Sequence, residues 1–440
     1  MSRLGSLLLR QAERRPRHTA LVCGSERLTY AELVRAVRAA GAPAARTRVP
    51  LRLPNGVEFV VRACAAWAAG AVLAPINPRL APPEAEAIVA DLAAEAPSEP
   101  EDCLILYTSG TTGRPKGAVL THANVIVQNL DHHVAAWGIG EDDVFLATTP
   151  LAHRAGIARL VNALGLGATL VVMEKFDPGE ALALIERERV SVAGLPPTVI
   201  RMLLPVLRGD PGRLRSLARV IVSTEAFPAA LLRETAALLP QARFFAVYGM
   251  SEAAVASASL EEQLARPGTV GRPLPGVEVR LEAGELLVRG RDAVMRGYFN
   301  RPQANAEAFR DGWFCTGDLA RIDAEGYLYI VDRKKDMVVT GGYNVYSKEV
   351  EQVLAEHPEI AEAAVIGVPD ALYGEAVAAY VEPRPGARLS AQAVLEHCRG
   401  RLAGYKKPRH VVIVDSLPRN ALGKVLKSAL REAPPPGVRD

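Results

Sequence analysis

The chain has 440 residues, too many for one ordinary hydrophobic core, so a large domain followed by a small one is the expected arrangement. Its 52 basic and 49 acidic residues leave a net charge of only +3, which excludes the basic field of a nucleic-acid or anionic-membrane binder and leaves small-molecule chemistry. The five cysteines, Cys23, Cys64, Cys103, Cys315 and Cys398, form no CxxC pair and no disulfide framework, as expected of a protein in a reducing cytoplasm.

In chain order, Leu4, Leu7 and Leu8 set among Arg3, Arg10 and Glu13 predict an amphipathic first helix without the apolar core of a secretion signal. The most apolar stretch, 63–76, starts beside Arg62 and is shorter than the ~20 residues of a membrane span, so no transmembrane segment is predicted. The apolar run Cys103–Tyr107 reads as a strand delivering the loop Thr108–Gly117. Further short apolar runs follow at Val144–Thr148, Ala168–Met173, Val190–Leu195, Val220–Ser223 and Arg243–Val247, alternating with helical patterns such as Pro178–Arg189 and Pro228–Leu239. Such alternation predicts βαβ units and parallel sheets, with ligands gathered beyond the carboxyl ends of the strands. From Val277 to Val331 the pattern turns to β, with Asp323–Gly326 as a hairpin turn. The charge run Asp332–Asp336 marks a boundary, as a hinge or a solvated surface turn, before a final segment with its own strands and helices.

The loop Thr108–Gly117 joins Thr108, Ser109, Gly110, Thr111, Thr112 and Gly113 to Lys116, so bare backbone N–H groups, hydroxyls and one ammonium converge as they would on a phosphate. It is not a Walker loop, because Pro115 and Gly117 flank the lysine where that motif needs glycine before and Ser or Thr after. Lysine is otherwise rare: of nine in the chain, only Lys175 lies away from this loop, the charge run and the C-terminal segment. A point charge on a flexible stem is what arginine does not replace well, although exposed lysines also cluster by chance.

The loop resembles the signature of the AMP-forming synthetases, the superfamily of acyl-CoA ligases, luciferases and peptide-synthetase adenylation domains. Five further segments follow in that family's order: Pro150–His153, Tyr248–Glu252, Gly312–Asp318, Asp332–Asp336 and Pro418–Lys424. The resemblance covers nearly the whole chain. It implies an α/β fold with a large N-terminal domain of parallel α/β sheets plus a small β subdomain (1–331), a hinge (332–336), and a small, mobile α+β C-terminal domain (337–440).

The resemblance also implies roles. Thr108–Lys116 would embrace the β- and γ-phosphates of ATP, Tyr248 would lie against adenine, Ser251 would touch the α-phosphate, and Glu252 with Thr108 would hold Mg2+. Asp318 and Arg333 would bind the ribose hydroxyls. Lys424 would stabilise the adenylation transition state, with His153 near the substrate carboxylate. Lys335 would be the hinge about which the small domain rotates, and Gly341 and Gly342 would then line a tunnel for the pantetheine arm of coenzyme A. Plainer readings stand beside these: Tyr248 as a buried strand residue, Glu252 as a helix-start carboxylate, His153 as a core or capping histidine, and the glycine pair as a bulge or tight turn.

Two departures from the family pattern matter. Between Leu80 and Glu101 the chain reaches its phosphate loop early, so part of the N-terminal subdomain is absent, which predicts a smaller wall or a homodimer surface. At 222–228, Thr224 and Glu225 stand where the family commonly has glycines beside adenine and substrate. Thr224, Glu225, Met250 and Ala253 are the substrate-side candidates, and Glu225 favours an acid or acceptor bearing an amino or hydroxyl group over a plain fatty chain. The expected activity is adenylation of a small aryl or functionalised acid, with pyrophosphate release and transfer to coenzyme A. Alternatives are loading of a carrier protein, and a diazotase-type reaction in which adenylated nitrite passes to an aromatic amine.

Overall fold

The computed structural model describes residues 4–94, 98–108, 115–223, 227–419 and 425–432. The chain divides into two compact units, one of Met1–Arg280, Leu287–Cys315 and Ile322–Tyr329, the other of Leu281–Leu286, Thr316–Arg321 and Ile330–Asp440.

The α/β class is the one observed. The larger unit holds a nine-stranded sheet ordered Arg272–Pro273, Ala254–Ser259, Arg243–Gly249, Arg219–Val222, Val192–Gly194, Val144–Ala147, Thr169–Val172, Thr19–Cys23 and Glu26–Thr29. The middle strands pair in parallel, from Arg243–Gly249 across to Thr19–Cys23, and the outer ones are antiparallel. Helices cover parallel strands on both faces, which is why these strands are unbroken apolar runs such as Phe145, Leu146 and Ala147, all fully buried. Helix Pro178–Arg187 starts where Asp177 caps the N–H of Glu180, and stops short of the predicted Arg189, whose φ of 52° is left-handed.

A second sheet of the same unit is ordered Gly297–Tyr298, Lys116–Thr121, Asp102–Thr108, Val72–Pro75 and Arg48–Leu51. The apolar stretch 63–76 is the end of helix Val57–Ala68 and strand Val72–Pro75, almost entirely buried. Among the described residues no helix is long and apolar enough to cross a membrane. A small sheet pairs Glu278–Glu282, Glu285–Arg289, Trp313–Ile322 and Phe309–Arg310 in that order, with Leu328–Arg333 on Trp313–Ile322. The predicted turn at Asp323–Gly326 closes it, with Asp323 and Tyr327 bonded backbone to backbone at 3.0 Å.

In the smaller unit a sheet of Tyr343–Val345, Val338–Thr340, Gly374–Pro383 and Ile360–Asp370, with His410–Ile413 beside Gly374–Pro383, has two apolar faces. One buries Val350 and Leu354 of helix Ser347–Ala355 and Val394 of helix Ala391–Cys398; the other packs on Leu417 and Leu430.

Candidate active site

Strands Asp102–Thr108 and Lys116–Thr121 are antiparallel neighbours, with Thr108 opposite Lys116. They hold both ends of the phosphate loop; Ser109, Gly110, Thr111, Thr112 and Gly113 lie outside the described residues. The second motif, Tyr248–Glu252, follows the carboxyl end of a parallel strand, where an α/β sheet collects ligands. The two motifs meet: Thr108 Oγ1 lies 3.5 Å from Glu252 Oε1.

Glu252 is 9% exposed and starts no helix, since strand Ala254–Ser259 comes next, so a helix-dipole role does not apply. The hydroxyl of Tyr298 donates to Glu252 Oε1 at 3.0 Å, and the Lys116 ammonium sits 5.4 Å from the centre of the Tyr298 ring. No ion pair to Glu252 occurs among the described residues. A buried carboxylate served by two hydroxyls is a hard oxygen donor set. It fits Mg2+, which is commonly held by one or two carboxylates with phosphate oxygens completing the shell. Tyr248 and Ser251 are half-buried on the same turn, as is Met250, whose N–H donates to the carbonyl of the buried Ala253 at 2.8 Å.

His153 precedes helix Arg154–Leu166, to which its side chain contributes no cap. Its Nε2 lies 3.2 Å from Asn77 Nδ2, so that nitrogen accepts and the ring is neutral. Burial, helped by the charge of Arg79, pushes the imidazole down to about 4. The chain approaches this helix so closely that a Cβ on Gly156 would come within 2.2 Å of the Pro150 carbonyl oxygen, which makes glycine obligatory there. Arg154, missed in the sequence because it resembles any surface arginine, is half-buried. It donates to the Ser251 carbonyl at 3.2 Å and to Gln128 Oε1, and thereby ties His153 to the Tyr248–Glu252 turn. Burial pushes its guanidinium down to about 10 against the opposing pull of Glu252. Thr224 and Glu225 lie outside the described residues.

In the smaller unit, Asp318 is 3% exposed and its Oδ1 meets Arg333 Nε at 2.8 Å, which unites the two ribose candidates. The charge run is not a solvated turn throughout. Asp332 is 1% exposed and accepts from the N–H and hydroxyl of Ser347, while Asp336 pairs with Arg431 at 2.7 Å. Lys335 itself is exposed, and its carbonyl accepts from Arg431. Gly341 and Gly342 form the two-residue turn of a hairpin, with φ of 56° and 82°, values that few other residues tolerate. Gly341, but not Gly342, lines a cavity of about 130 Å³ walled by Tyr343, Tyr373, Tyr405, Lys407 and Arg409. Lys424 lies outside the described residues; its loop is pinned at both ends by a bridge between Arg419 and Val425.

Comparison with known proteins agrees with this geometry. The family model of the AMP-binding enzymes matches residues 8–96 and 92–299, and that of the AMP-binding enzyme C-terminal domain matches 349–424. A feruloyl-CoA synthase from Amycolatopsis sp. is 36% identical over 97% of this chain and 98% of its own. An indoleacetate–CoA ligase from Aromatoleum aromaticum is 39% identical over 75% of this chain and 66% of its own. The o-succinylbenzoate CoA synthetase of Bacillus subtilis, solved with its acyl-adenylate intermediate, superposes with a TM-score of 0.87 at 30% identity, covering 97% of each chain. The same enzyme has also been solved with ATP and magnesium. The chain therefore belongs to the adenylate-forming acyl- and aryl-CoA synthetase superfamily, and within it to the AMP-forming acid:CoA ligases.

Proposed function

We propose that the protein converts a small aryl or functionalised carboxylic acid into its adenylate with ATP, releases pyrophosphate, and transfers the acyl group to the thiol of coenzyme A. The observation that carries this reading is the meeting of Thr108, Glu252 and Tyr298, which joins the phosphate loop to the adenine-side motif over 144 positions of sequence.

The chemical difficulty is charge, because a carboxylate must approach a polyanion. Glu252 and Thr108 would hold Mg2+, which neutralises phosphate charge. Tyr248 lies against adenine, Ser251 against the α-phosphate, and Asp318 with Arg333 against the ribose. Lys424 supplies the charge that the adenylation transition state needs. His153, neutral at working pH, orients the acid by hydrogen bonding and adds no net charge of its own. Arg154 fixes the Ser251 turn from behind.

For the second half-reaction, Lys335 is the hinge. The cavity beside Gly341 and Gly342 supports coenzyme A as acceptor: Tyr343 and Tyr405 stack at 4.6 Å and offer faces for a base, while Lys407 and Arg409 offer cations for phosphates. The three relatives named above are CoA ligases, which does not favour a carrier protein or nitrite, and their names support an aromatic acid, although long-chain fatty-acid–CoA ligases are also among the relatives.

The test is a pyrophosphate-release screen over aryl and alkyl acids with and without coenzyme A. Thioester formation with at least one acid is expected. Turnover only with nitrite and an aryl amine would replace this reading with the diazotase one.

A further inference from the structure

Helix Arg154–Leu166 carries a second buried cation that the site above does not use. Arg159 is 5% exposed, one turn beyond Ala155, and both line a small cavity. The other walls come from the carboxyl ends of three parallel strands: Thr148 and Thr149 after Val144–Ala147, Gly194 of Val192–Gly194, and Ser223 after Arg219–Val222. This is the end of the sheet where Tyr248–Glu252 emerges, and Ser223 directly precedes Thr224 and Glu225.

Arg159 has no hydrogen bond and no ion pair to any described residue, and its Nη1 is buried without a partner. The Trp137 ring, 5.1 Å from its Cζ, gives it a face but no counter-charge. His133 nearby offers no anion, being held neutral by burial and by Arg159 itself. Thr148 directs its hydroxyl to the Gly194 carbonyl. Burial pushes the guanidinium down to about 10, with no anion among the described residues working the other way. An unpaired buried cation is costly, and a planar fork of donors matches carboxylate and phosphate oxygens alike, of which a carboxylate is the group that an organic acid can carry twice. The cavity, at about 20 Å³, has room for one polar group of water size.

Resting on the adenylation reading, we propose that the substrate carries a second carboxylate and that Arg159 receives it in this small cavity at the carboxyl ends of the strands. Arg159 lies six positions beyond His153, a rise of roughly 9 Å along the helix. A ring or a medium-length chain would span the interval between the reacting and the distal carboxylates. This differs from the expectation from Glu225 of an acid or acceptor bearing an amino or hydroxyl group.

The experiment compares matched acids by calorimetry in the presence of AMP, heptanedioate against heptanoate and 4-carboxycinnamate against cinnamate, for the wild type, R159M and R159K. The same acids are assayed for pyrophosphate release. The diacid of at least one pair should bind wild type tenfold or more tightly than its monoacid. R159M should remove that preference while leaving monoacid binding intact, and R159K should restore part of it. Equal affinities within both pairs, or a preference that R159M keeps, would overturn the assignment. Should R159M not fold, an R159K enzyme with the full wild-type preference in kcat/KM and no rise in KM for the diacid would overturn it as well. Diacid preference in binding without pyrophosphate release from any acid would sink the ligase reading and leave Arg159 as an anion site. Efficient turnover of monoacids with no diacid preference would do the reverse.

Discussion

The charges around Glu252 and those around Asp332 are handled in opposite ways. In the larger unit, among the described residues, Glu252 is buried with hydroxyls and no ion pair, the half-buried Arg154 feels its charge without bonding to it, and the buried Arg159 has no carboxylate bonded to it. In the smaller unit the charges around Asp332 are matched: Asp336 with Arg431 and Glu351 with Lys427, both at 2.7 Å. The first arrangement suits the Mg2+ proposed at Glu252 and the carboxylate proposed at Arg159. The second is complete in itself and serves to hold a small domain together. Changes in the first region should therefore cost activity, and changes in the second should cost stability.

Lys424 gives the largest contrast, since it belongs to the smaller unit's sequence yet is proposed to act in adenylation. Lys424→Ala should slow adenylate formation about 10²–10³-fold, the scale for one electrostatic donor, while transfer from a supplied adenylate persists. Equal loss of both half-reactions, measured separately, would mean that the lysine is structural.

Acid should separate the regions by pH. The folded His153 pKa of about 4 lies below its ordinary 6.5, so the unfolded chain binds more protons between those values and stability falls as pH drops through that window. The contribution is about 3 kcal/mol, and His153→Gln should flatten the melting-temperature profile between pH 6.5 and 4. Burial works to raise the Asp336 carboxyl, but the bond from Arg431 and the charge of Lys427 hold it below 3.8. Its contribution is therefore kept until pH falls below 3.8, and Asp336→Asn should leave the upper window unchanged.

Lys427→Met should destabilise the protein by about 2 kcal/mol, because Glu351 loses its cation while burial already raises its carboxyl. Denaturant unfolding checks this, and adenylation by the folded fraction should stay near normal. The smallest effect is expected at the hinge. Lys335→Pro fixes φ, and should lower thioester formation relative to adenylation about tenfold, near 1.4 kcal/mol. Equal rates for both steps would move the hinge elsewhere.

The sheets were legible because parallel strands buried on both faces leave unbroken apolar runs, as at Val144–Ala147 and at Val220, Ile221 and Val222. The site was legible where glycines, hydroxyls and lysine crowd into one loop, and at Glu252. Arg154 and Arg159 were not, since in a chain that uses arginine by default a buried one has no local mark. Asp332 reads as surface charge among its neighbours, and only the fold reveals that Ser347 comes 15 positions later to meet it. Tyr298 stands in no charged or glycine-rich loop, and its role depends on Gly297–Tyr298 pairing beside Lys116–Thr121.

The most direct test is the product balance of wild type and Glu252→Gln with ATP, magnesium, coenzyme A and an accepted acid. The substitution keeps a partner for the Tyr298 hydroxyl but removes the charge. The account predicts one AMP and one pyrophosphate per thioester in wild type, all three falling together about 10²–10³-fold in the variant, with the melting temperature unchanged. ADP and phosphate as products, or a variant as active as wild type, would contradict it.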